Sequence, residues 1–436
     1  MNRSIDPLHS RTRSGSGRAS RWPVPLGAAL VHLAIGSVYA WSTFNRPVQA
    51  LFPDAPWWLL PPYTTFTTAL AILGLSAALL GPWVERHGPR TAARAAALAF
   101  GSGLLIGGLG LALVNPWLVW LGLGVVSGLG CGLGYIAPVS TLVRWFPDRR
   151  GMATGLAIMG FGGGAFVAGY LNVALIARVG IATTVMLLGA CYLVLMLIGA
   201  QLLRRPPEDW PSGPMHRASA PVGDGLTRNQ AIRTPQFALL WLMLGINVTA
   251  GIGILAQASP MMQDLFGRSP AEAAAVVSII SLFNAGGRFV WASASDWLGR
   301  RATYLCFFAL QVVLFLAIPR LAAAGAWWPF QLTLFAIFTM YGGGFATIPA
   351  YLADVFGTRF VGAIHGAVLT AWSVAAIVGP LLITELSARA RNAAGGNAAQ
   401  AYDAPLQLLA ALLAVGFVLT LFVRPVSAAP ASRGKA

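Results

Sequence analysis

Arg288 lies in the middle of an apolar stretch, residues 278–291, that is long enough to belong to a membrane-crossing helix. An arginine at the centre of such a helix costs about +2.5 to +3.5 kcal/mol on insertion scales, so its charge needs a partner. Asn284, one helical turn earlier, shares its face. The planar guanidinium suits a carboxylate, which indicates an anion-binding residue. Alternatively, Arg288 bends toward the polar end of its helix and joins Asp296.

Four further polar side chains are candidates for the same site. His32 and Tyr39 are seven residues apart, so they lie on one face of a helix. Tyr135 and Tyr341 lie in apolar stretches that correspond in the two halves of the chain. Together they can line a cavity with hydrogen-bond donors, although each taken alone is equally well explained as a packing residue.

Long apolar helices must position these residues. Hydrophobic residues make up 57% of the 436 residues and charged residues 10%, whereas a soluble domain has about 25% charged residues. A helix needs about 20 residues to cross a bilayer, and the apolar runs therefore predict twelve spans. These are 24–44, 62–82, 95–113, 117–140, 152–175, 182–203, 236–257, 271–294, 303–319, 328–351, 362–385 and 404–423.

The net charge of +16 would suit nucleic acid in a soluble protein, but its placement along the chain excludes that partner. Most of the 29 Lys and Arg residues lie on one side of the predicted membrane, in the two terminal tails and the inter-span segments of that side. This positive-inside pattern predicts that both termini are cytoplasmic. The arginine-rich residues 1–23 are predicted to be a disordered tail and not a signal peptide, because the apolar run after them is too long.

A comparison of the chain with itself reveals a repeat at an offset of 211 residues. The segment 81–90 returns as 292–301, and the same offset relates Pro138 to Pro349, Trp145 to Phe356, Gly151 to Gly362 and Gly155 to Gly366. We therefore predict six-helix bundles at 24–203 and 236–423. A polar cytoplasmic linker at 204–235 joins them, and a cytoplasmic tail follows at 424–436.

Each copy of the repeated segment carries an acidic residue between the second and third helices of its half. Glu85 and Asp296 can face cationic loop residues and a helix N-terminus, and so hold one conformation closed on the cytoplasmic side. Alternatively, they form surface ion pairs that contribute little. The predicted gate consists of Gly81, Glu85, Arg86, Gly88, Arg90, Asp296, Gly299, Arg300 and Arg301.

Two glycine clusters, at 128–134 and 160–164, look like phosphate-binding loops but lie inside apolar helices with no preceding strand. Close helix packing explains them. Cys131, Cys191 and Cys306 each lie alone in an apolar run, which predicts packing residues and no metal site or disulfide. No nucleophile-base constellation occurs, so neither a cofactor nor an enzymatic activity is predicted.

The acidic-Gly-Arg segment, its second copy and the six-plus-six arrangement resemble the major facilitator superfamily over nearly the whole chain. The resemblance implies an all-α membrane protein with twelve transmembrane helices in two pseudo-symmetric bundles, working by alternating access around a central cavity. The sequence contains no Walker motif, so ATP is not the expected energy source. We expect a monomer in the bacterial inner membrane that carries a small organic anion, with a proton or a counter-anion as an open second partner.

Three stretches, 34–44, 283–288 and 365–372, resemble the branch that contains oxalate/formate antiporters and bacterial relatives of monocarboxylate transporters. This resemblance implies that Arg288 binds a carboxylate and that Asn284 supports it. It also implies that the remaining lining residues are His32, Tyr39, Tyr135 and Tyr341, with Trp372 beside them.

Two residues depart from that branch. Trp372 stands where oxalate antiporters have a lysine that helps hold a dianion, so a monocarboxylate such as pyruvate, lactate or formate is favoured. Asn284 stands where animal monocarboxylate transporters have an aspartate. Proton coupling through that position is therefore not expected, and His32 is the candidate titrating group, since an ordinary imidazole has a pKa of about 6.5. Alternatively, Trp372 only packs against a neighbouring helix.

Other functions remain compatible with the sequence. One is an oxalate/formate-type anion exchanger. Another is an exporter of amphipathic, drug-like solutes, in which the cavity binds by shape and Arg288 is structural. A third, a transporter-shaped sensor, is disfavoured because the predicted soluble segments are too short for a signalling domain.

Overall fold

The structure, a computed structural model, describes residues 20–53, 62–207, 210, 225–393 and 398–424, and over these residues it is nearly all helical. Residues 1–19 of the predicted basic tail, much of the linker and residues 425–436 of the predicted C-terminal tail lie outside the described residues. The helices are α1 Pro23–Gly36, α2 Ser42–Leu51, α3 Pro62–His87, α4 Pro89–Ala112, α5 Pro116–Val119, α6 Ser127–Trp145, α7 Arg150–Leu202, α8 Arg228–Ala231, α9 Pro235–Phe266, α10 Pro270–Leu298, α11 Arg300–Ala323, α12 Trp327–Phe356, α13 Val361–Val368, α14 Thr370–Ala393 and α15 Ala398–Phe422.

Eleven helices among the described residues are long and apolar enough to cross a membrane. The 53-residue helix α7 contains two of the predicted spans, because Gly180 leaves helical geometry in its middle, with φ 75° and ψ 167°. Helix α7 therefore crosses twice, and the twelve-span, all-α architecture is confirmed. The first predicted span, 24–44, is not one regular helix, since a 3₁₀ turn, Ser37–Ala40, separates α1 from α2.

Helix ends follow from local sequence. At the start of α9, the Thr234 side chain accepts a hydrogen bond from the Phe237 backbone N–H. At the start of α10, Ser269 and Glu272 form a reciprocal capping box. Both devices satisfy backbone donors that have no partner within the helix. Gly267 ends α9 in the left-handed conformation that glycine adopts most easily.

The repeat predicted from the sequence is also present in the backbone. Gly88, between α3 and α4, has φ +86°, and Gly299, between α10 and α11, has φ +84°. The two residues are 211 positions apart. A residue with a Cβ is strained at such angles, so both copies need glycine to make the same sharp turn between two helices.

The two described ends of the chain lie at one end of the bundle. The Arg204 side chain donates to the Ser20 carbonyl (2.8 Å), and the Arg301 side chain donates to the Leu421 carbonyl (2.5 Å). The Arg205 side chain reaches the Glu85 carbonyl at the same end. Such an arrangement is what an even number of spans requires. That this end is cytoplasmic stays a prediction.

Glycines bring helix backbones into direct contact. A Cβ built on Gly36 of α1 would overlap the Phe161 carbonyl oxygen of α7, and one built on Gly164 would overlap the Leu33 carbonyl. Between the halves, a Cβ on Gly366 of α13 would overlap the Ala77 carbonyl of α3. Small residues that allow this approach are typical of membrane helix interfaces, and close packing accounts for Gly160, Gly162 and Gly164 in the cluster at 160–164.

We expect Gly36→Ala to destabilise the protein by about 1–3 kcal/mol, because the added methyl group forces α1 away from α7. The melting temperature of the purified protein in detergent measures this loss. Gly163→Ala, on α7, is the matched control, since its Cβ would meet nothing within 4 Å. Equal melting temperatures for the two variants would contradict the prediction.

Candidate functional site

Arg288 of α10 is fully buried, and its guanidinium lies on the Asn284 side of its own Cα. Its Nε donates to the Asn284 side-chain oxygen (3.3 Å), and one Nη donates to the Ile158 carbonyl of α7 (3.4 Å). The other Nη has no hydrogen-bond partner. Among the described residues, none of the ion pairs includes Arg288, and Asp296 is paired with Arg300 instead. The side chain thus does not bend toward Asp296.

Two phenylalanines from opposite halves cover the guanidinium. The Arg288 carbon Cζ lies 5.2 Å from the ring centre of Phe161 on α7 and 5.4 Å from that of Phe345 on α12. A cation over an aromatic face within about 6 Å is stabilised by the ring quadrupole, by up to about 2 kcal/mol where water is excluded. The rings hold the charge without neutralising it.

A tyrosine pair joins the halves beside Arg288. The hydroxyls of Tyr39 and Tyr341 lie 3.2 Å apart. The Tyr39 ring packs edge-on against Phe161 (5.0 Å) and Trp372 (5.9 Å). The fully buried Trp372 also packs against Phe345 at 4.6 Å, and its indole N–H has no partner. Two hydroxyl groups, an indole N–H and a guanidinium therefore lie together in an otherwise aromatic setting.

A second set of polar side chains is connected to Trp372 through Tyr135. The Tyr135 ring is 5.6 Å from Trp372 and 5.3 Å from His32, and on a third side it faces His365 at 5.8 Å. The Nδ1 of His32 bonds to the Ala28 carbonyl at 2.9 Å. All seven residues predicted for substrate binding therefore belong to one connected cluster in the interior.

Two of the helices that carry these residues are interrupted at the site. Tyr39 lies in the 3₁₀ turn that separates α1 from α2. Trp372 lies just beyond Leu369, which separates α13 from α14. Interrupted helices in the middle of a membrane protein are typical of transporter binding sites, because they allow side chains and backbone groups to face a cavity.

Three residues of this cluster escaped the sequence prediction: Phe161, Phe345 and His365. A phenylalanine inside an apolar helix carries no signal of its own. Phe161, however, lies 211 positions before Trp372, and the two rings meet at 5.7 Å, so the repeat could have identified it. No comparable signal marks Phe345. His365 begins the stretch 365–372 that resembles the antiporter branch, and this resemblance is the signal that marks it.

The predicted gate lies at the end of the bundle that holds Ser20 and Leu421, near the two ends of the described chain. Glu85, at the end of α3, pairs with Arg144 of α6. It also accepts a hydrogen bond from the Gly362 backbone N–H, at the start of α13 in the other half, at 3.0 Å. Arg144 in turn donates to the Arg359 carbonyl of that half. The carboxylate therefore binds a helix N-terminus across the interface, where the helix dipole favours negative charge.

Asp296 makes the equivalent contact in the opposite direction. Its two carboxylate oxygens accept from the backbone N–H groups of Gly151 and Met152, both at 2.9 Å, at the start of α7. Arg300 pairs with Asp296 at 2.6 Å and with Asp354 at 3.2 Å. Both acids are thus held by a helix N-terminus of the other half, as the repeat between Gly151 and Gly362 implies.

The other predicted gate residues support these contacts. A Cβ on Gly81 would come within 2.7 Å of the Ala363 Cα in the other half. The Arg86 carbonyl accepts from Arg205 at 3.0 Å. Arg90 donates to the Gln201 carbonyl (2.7 Å) as Arg301 does to that of Leu421, so each arginine ties the start of its helix, α4 or α11, to the last helix of its own half.

The family model described as Major Facilitator Superfamily matches residues 34–380 and 248–436. The chain is 29% identical over 413 residues to the oxalate:formate antiporter of Oxalobacter formigenes, and the aligned region covers 93% of each protein. It is 24% identical over 462 residues to apicoplast pyruvate carrier 1 of Toxoplasma gondii, and this aligned region covers 81% of this chain and 82% of the carrier.

A solved structure gives the same fold. The structure of the proton:xylose symporter XylE bound to 6-bromo-6-deoxy-D-glucose superposes with a TM-score of 0.70, over 93% of this chain and 96% of that one. The two sequences are 15% identical, so this likeness shows the fold alone.

We expect Asp296→Asn to weaken the closed end of the bundle, because a neutral amide replaces the carboxylate that accepts two backbone hydrogen bonds. A hydrogen bond to a charged group contributes about 1.5–3 kcal/mol. A cysteine introduced by Thr154→Cys reports the opening, because Thr154 is fully buried and bonds across the interface to the Ala346 carbonyl. Labelling of this cysteine by N-ethylmaleimide, resolved by mass spectrometry from the native cysteines, should accelerate about tenfold or more.

Glu272→Gln is the matched control for this experiment. Glu272 lies at the other end of α10 and bonds within its own capping box, at 2.9 Å to the Ser269 N–H. It should leave the labelling rate unchanged. Equal labelling rates of the Thr154→Cys protein with and without Asp296→Asn would show that Asp296 forms only a surface ion pair.

Proposed function

This chain belongs to the Major Facilitator Superfamily of membrane transporters, and we propose that it carries a small monocarboxylate of the pyruvate, lactate or formate type, with Arg288 binding the carboxylate. The predicted resemblance to this superfamily and to its oxalate/formate and monocarboxylate relatives is confirmed. One observation carries the proposal: a fully buried guanidinium with one Nη unpaired and no acid bonded to it among the described residues.

The charge of the site favours a monoanion. Arg288 is the charged residue of the cluster, so a bound monocarboxylate makes the site neutral. A dianion would retain one negative charge in a low-dielectric interior, where an unpaired charge costs several kcal/mol. The tyrosine hydroxyls and the Trp372 N–H supply neutral hydrogen bonds, which support a carboxylate but do not cancel a second charge.

The size of the site favours a short acid. Phe161, Phe345 and Trp372 lie within 4.6–5.7 Å of one another or of the guanidinium. The methyl group of pyruvate or lactate, or the hydrogen atom of formate, can pack against these rings. An extended diacid needs a second polar end where the structure has an indole.

The relatives support carboxylate transport but differ in the charge of the substrate. The name of one relative specifies exchange of oxalate and formate, and that of the other specifies pyruvate. Trp372, in place of the lysine expected in an oxalate antiporter, is our reason to favour pyruvate-like acids. An oxalate/formate exchanger is the principal alternative, and the aromatic lining gives some support to an exporter of amphipathic solutes.

The chain is a multi-pass membrane protein. We propose that it lies in a bacterial inner membrane, as its bacterial relatives suggest, with the Glu85 end of the bundle cytoplasmic. Alternating access would then consist of breaking the two carboxylate contacts at that end while the opposite end closes.

We expect Arg288→Lys to reduce the uptake of labelled pyruvate, lactate or formate into proteoliposomes at least about tenfold. The ammonium keeps the charge but loses the planar fork that binds both carboxylate oxygens. Arg178→Lys, at an exposed arginine on α7, is the matched control and should transport normally. Uptake kinetics of Arg288→Lys equal to those of the wild type would refute the role of Arg288.

We expect the wild type to prefer pyruvate to oxalate in competition assays, and Trp372→Lys to shift this preference toward oxalate by adding a second cation. The shift should be partial, because the pocket was not shaped around two cations. Trp372→Phe is the control for lost volume and should not recruit oxalate. Tight oxalate binding by the wild type would show that Trp372 does not select the charge, whether or not the lysine variant folds.

A further inference from the structure

Arg90 and Arg94 lie one turn apart at the start of α4, and both side chains are exposed. One Nη of Arg90 donates to the Gln201 carbonyl (2.7 Å), and one Nη of Arg94 donates to the Gln201 side-chain oxygen (2.8 Å). Both guanidinium groups therefore meet at one residue near the end of α7. Side chains four residues apart on a helix are neighbours, so two like charges are held close together.

No acid neutralises this pair within the part of the chain that the structure describes, since none of the ion pairs there includes Arg90 or Arg94. Glu85, at the preceding turn, is already bound to Arg144 and to the Gly362 backbone N–H. Two neighbouring guanidinium groups repel each other, and an anion that accepts hydrogen bonds from both removes that repulsion.

Two rows of exposed apolar side chains begin at this pair, one on each helix. Within each row the spacing is four or seven residues, so each row forms one face of its helix. Because Arg94 and Gln201 bond to each other at the head of the two rows, the rows flank one groove. They consist of Leu98, Leu105 and Leu109 on α4 and of Ile198, Val194 and Leu187 on α7.

Close packing of α4 on α7 forms the floor of the groove. A Cβ built on Gly101 of α4 would lie 2.7 Å from the Leu193 Cβ of α7. In the opposite direction, a Cβ built on Gly189 of α7 would lie 2.9 Å from the Leu104 Cβ of α4. The two helices therefore run side by side at short distance, and their exposed rows extend together into the apolar part of the bilayer.

The depth of the arginines fits the boundary between lipid headgroups and acyl chains. Arg94 immediately precedes the predicted span 95–113. Arg90 lies about 6 Å further out, at a rise of about 1.5 Å per residue. Arginine side chains near the end of a membrane helix extend their charge toward the polar layer, where the lipid phosphates lie.

We propose that Arg90, Arg94 and Gln201 form the headgroup site of an anionic phospholipid, whose acyl chains lie in the groove between α4 and α7. The lipid phosphate accepts hydrogen bonds from the two guanidinium groups, whose planar forks suit phosphate oxygens. The apolar rows contact the acyl chains. The site does not depend on which solute the protein carries.

The repeat explains why the site belongs to the N-terminal half. The position equivalent to Arg90 is Arg301, which donates to the Leu421 carbonyl of the last helix in its own half. The position equivalent to Arg94 is Leu305. One arginine is therefore enough to tie the two helices together, and this tie does not account for Arg94. The second cation is what a bound anion requires.

Native mass spectrometry of the delipidated protein in neutral detergent measures the binding of the first lipid molecule. Phosphatidylglycerol should bind at least about tenfold more tightly than phosphatidylcholine, because the choline cation cancels the phosphate charge. Arg90→Gln/Arg94→Gln should remove most of this preference. Arg90→Lys/Arg94→Lys should keep part of it, since the charges remain but the forks are lost. Glycerol phosphate, which has no acyl chains, should not compete at equal concentration.

Arg178→Gln/Arg320→Gln is the matched control, because it removes two exposed arginines at the other end of the bundle. It should bind phosphatidylglycerol as the wild type does. Equal binding of the two lipids by the wild type, or an unchanged preference in Arg90→Gln/Arg94→Gln, overturns the inference. Competition by glycerol phosphate also overturns it, since the site would then bind a soluble phosphate.

A photoreactive phosphatidylglycerol locates the site in the wild type and so needs no variant to fold. Its cross-links, mapped by mass spectrometry, should concentrate in residues 90–109 of α4 and 187–201 of α7. Cross-links spread evenly over the membrane-facing surface would show only a general attraction of anionic lipids to a basic protein, and they would overturn the inference.

Discussion

A positive charge fixed inside the membrane is the constraint on which the interior of this protein depends. The Arg288 guanidinium is fully buried and, among the described residues, contacts a side-chain amide, one carbonyl and two aromatic faces. Such groups orient and partly stabilise a cation, but they leave its charge in place. In the proposed function, an anion that arrives from outside the chain neutralises this charge.

The second organising interaction holds the halves together at one end. Glu85 and Asp296 each bind the N-terminus of a helix in the opposite half, through Gly362 in one case and Gly151 with Met152 in the other. These contacts are partly exposed, so each is weak enough to break and strong enough to bias a conformation. A pair of equivalent, reversible contacts suits a molecule that must open and close at the same end many times.

Much of this could be predicted from the sequence because its signals are simple and repeated. Runs of apolar residues gave the spans, and the offset of 211 residues located both gate acids and both turn glycines. The shared helix face of Asn284 and Arg288 followed from their spacing. The 53-residue helix α7 and the interruptions near Tyr39 and Leu369 could not be predicted, because hydropathy does not record backbone geometry. The position of His365 in the cluster could not be predicted either, since a single histidine in an apolar stretch has no periodic pattern.

The helices follow the repeat that relates the two halves, but the residues of the candidate site follow it only in part. Phe161 and Trp372 are related by the repeat and meet at 5.7 Å, so the two halves contribute equivalent aromatic walls. The position equivalent to Arg288 is Ala77, which instead makes a backbone contact with Gly366. The C-terminal half alone supplies the cation, while the N-terminal half supplies Tyr39, Tyr135 and His32. In the proposed function, an anion on Arg288 is therefore enclosed only when both halves approach it, which would link substrate binding to the movement of one half against the other.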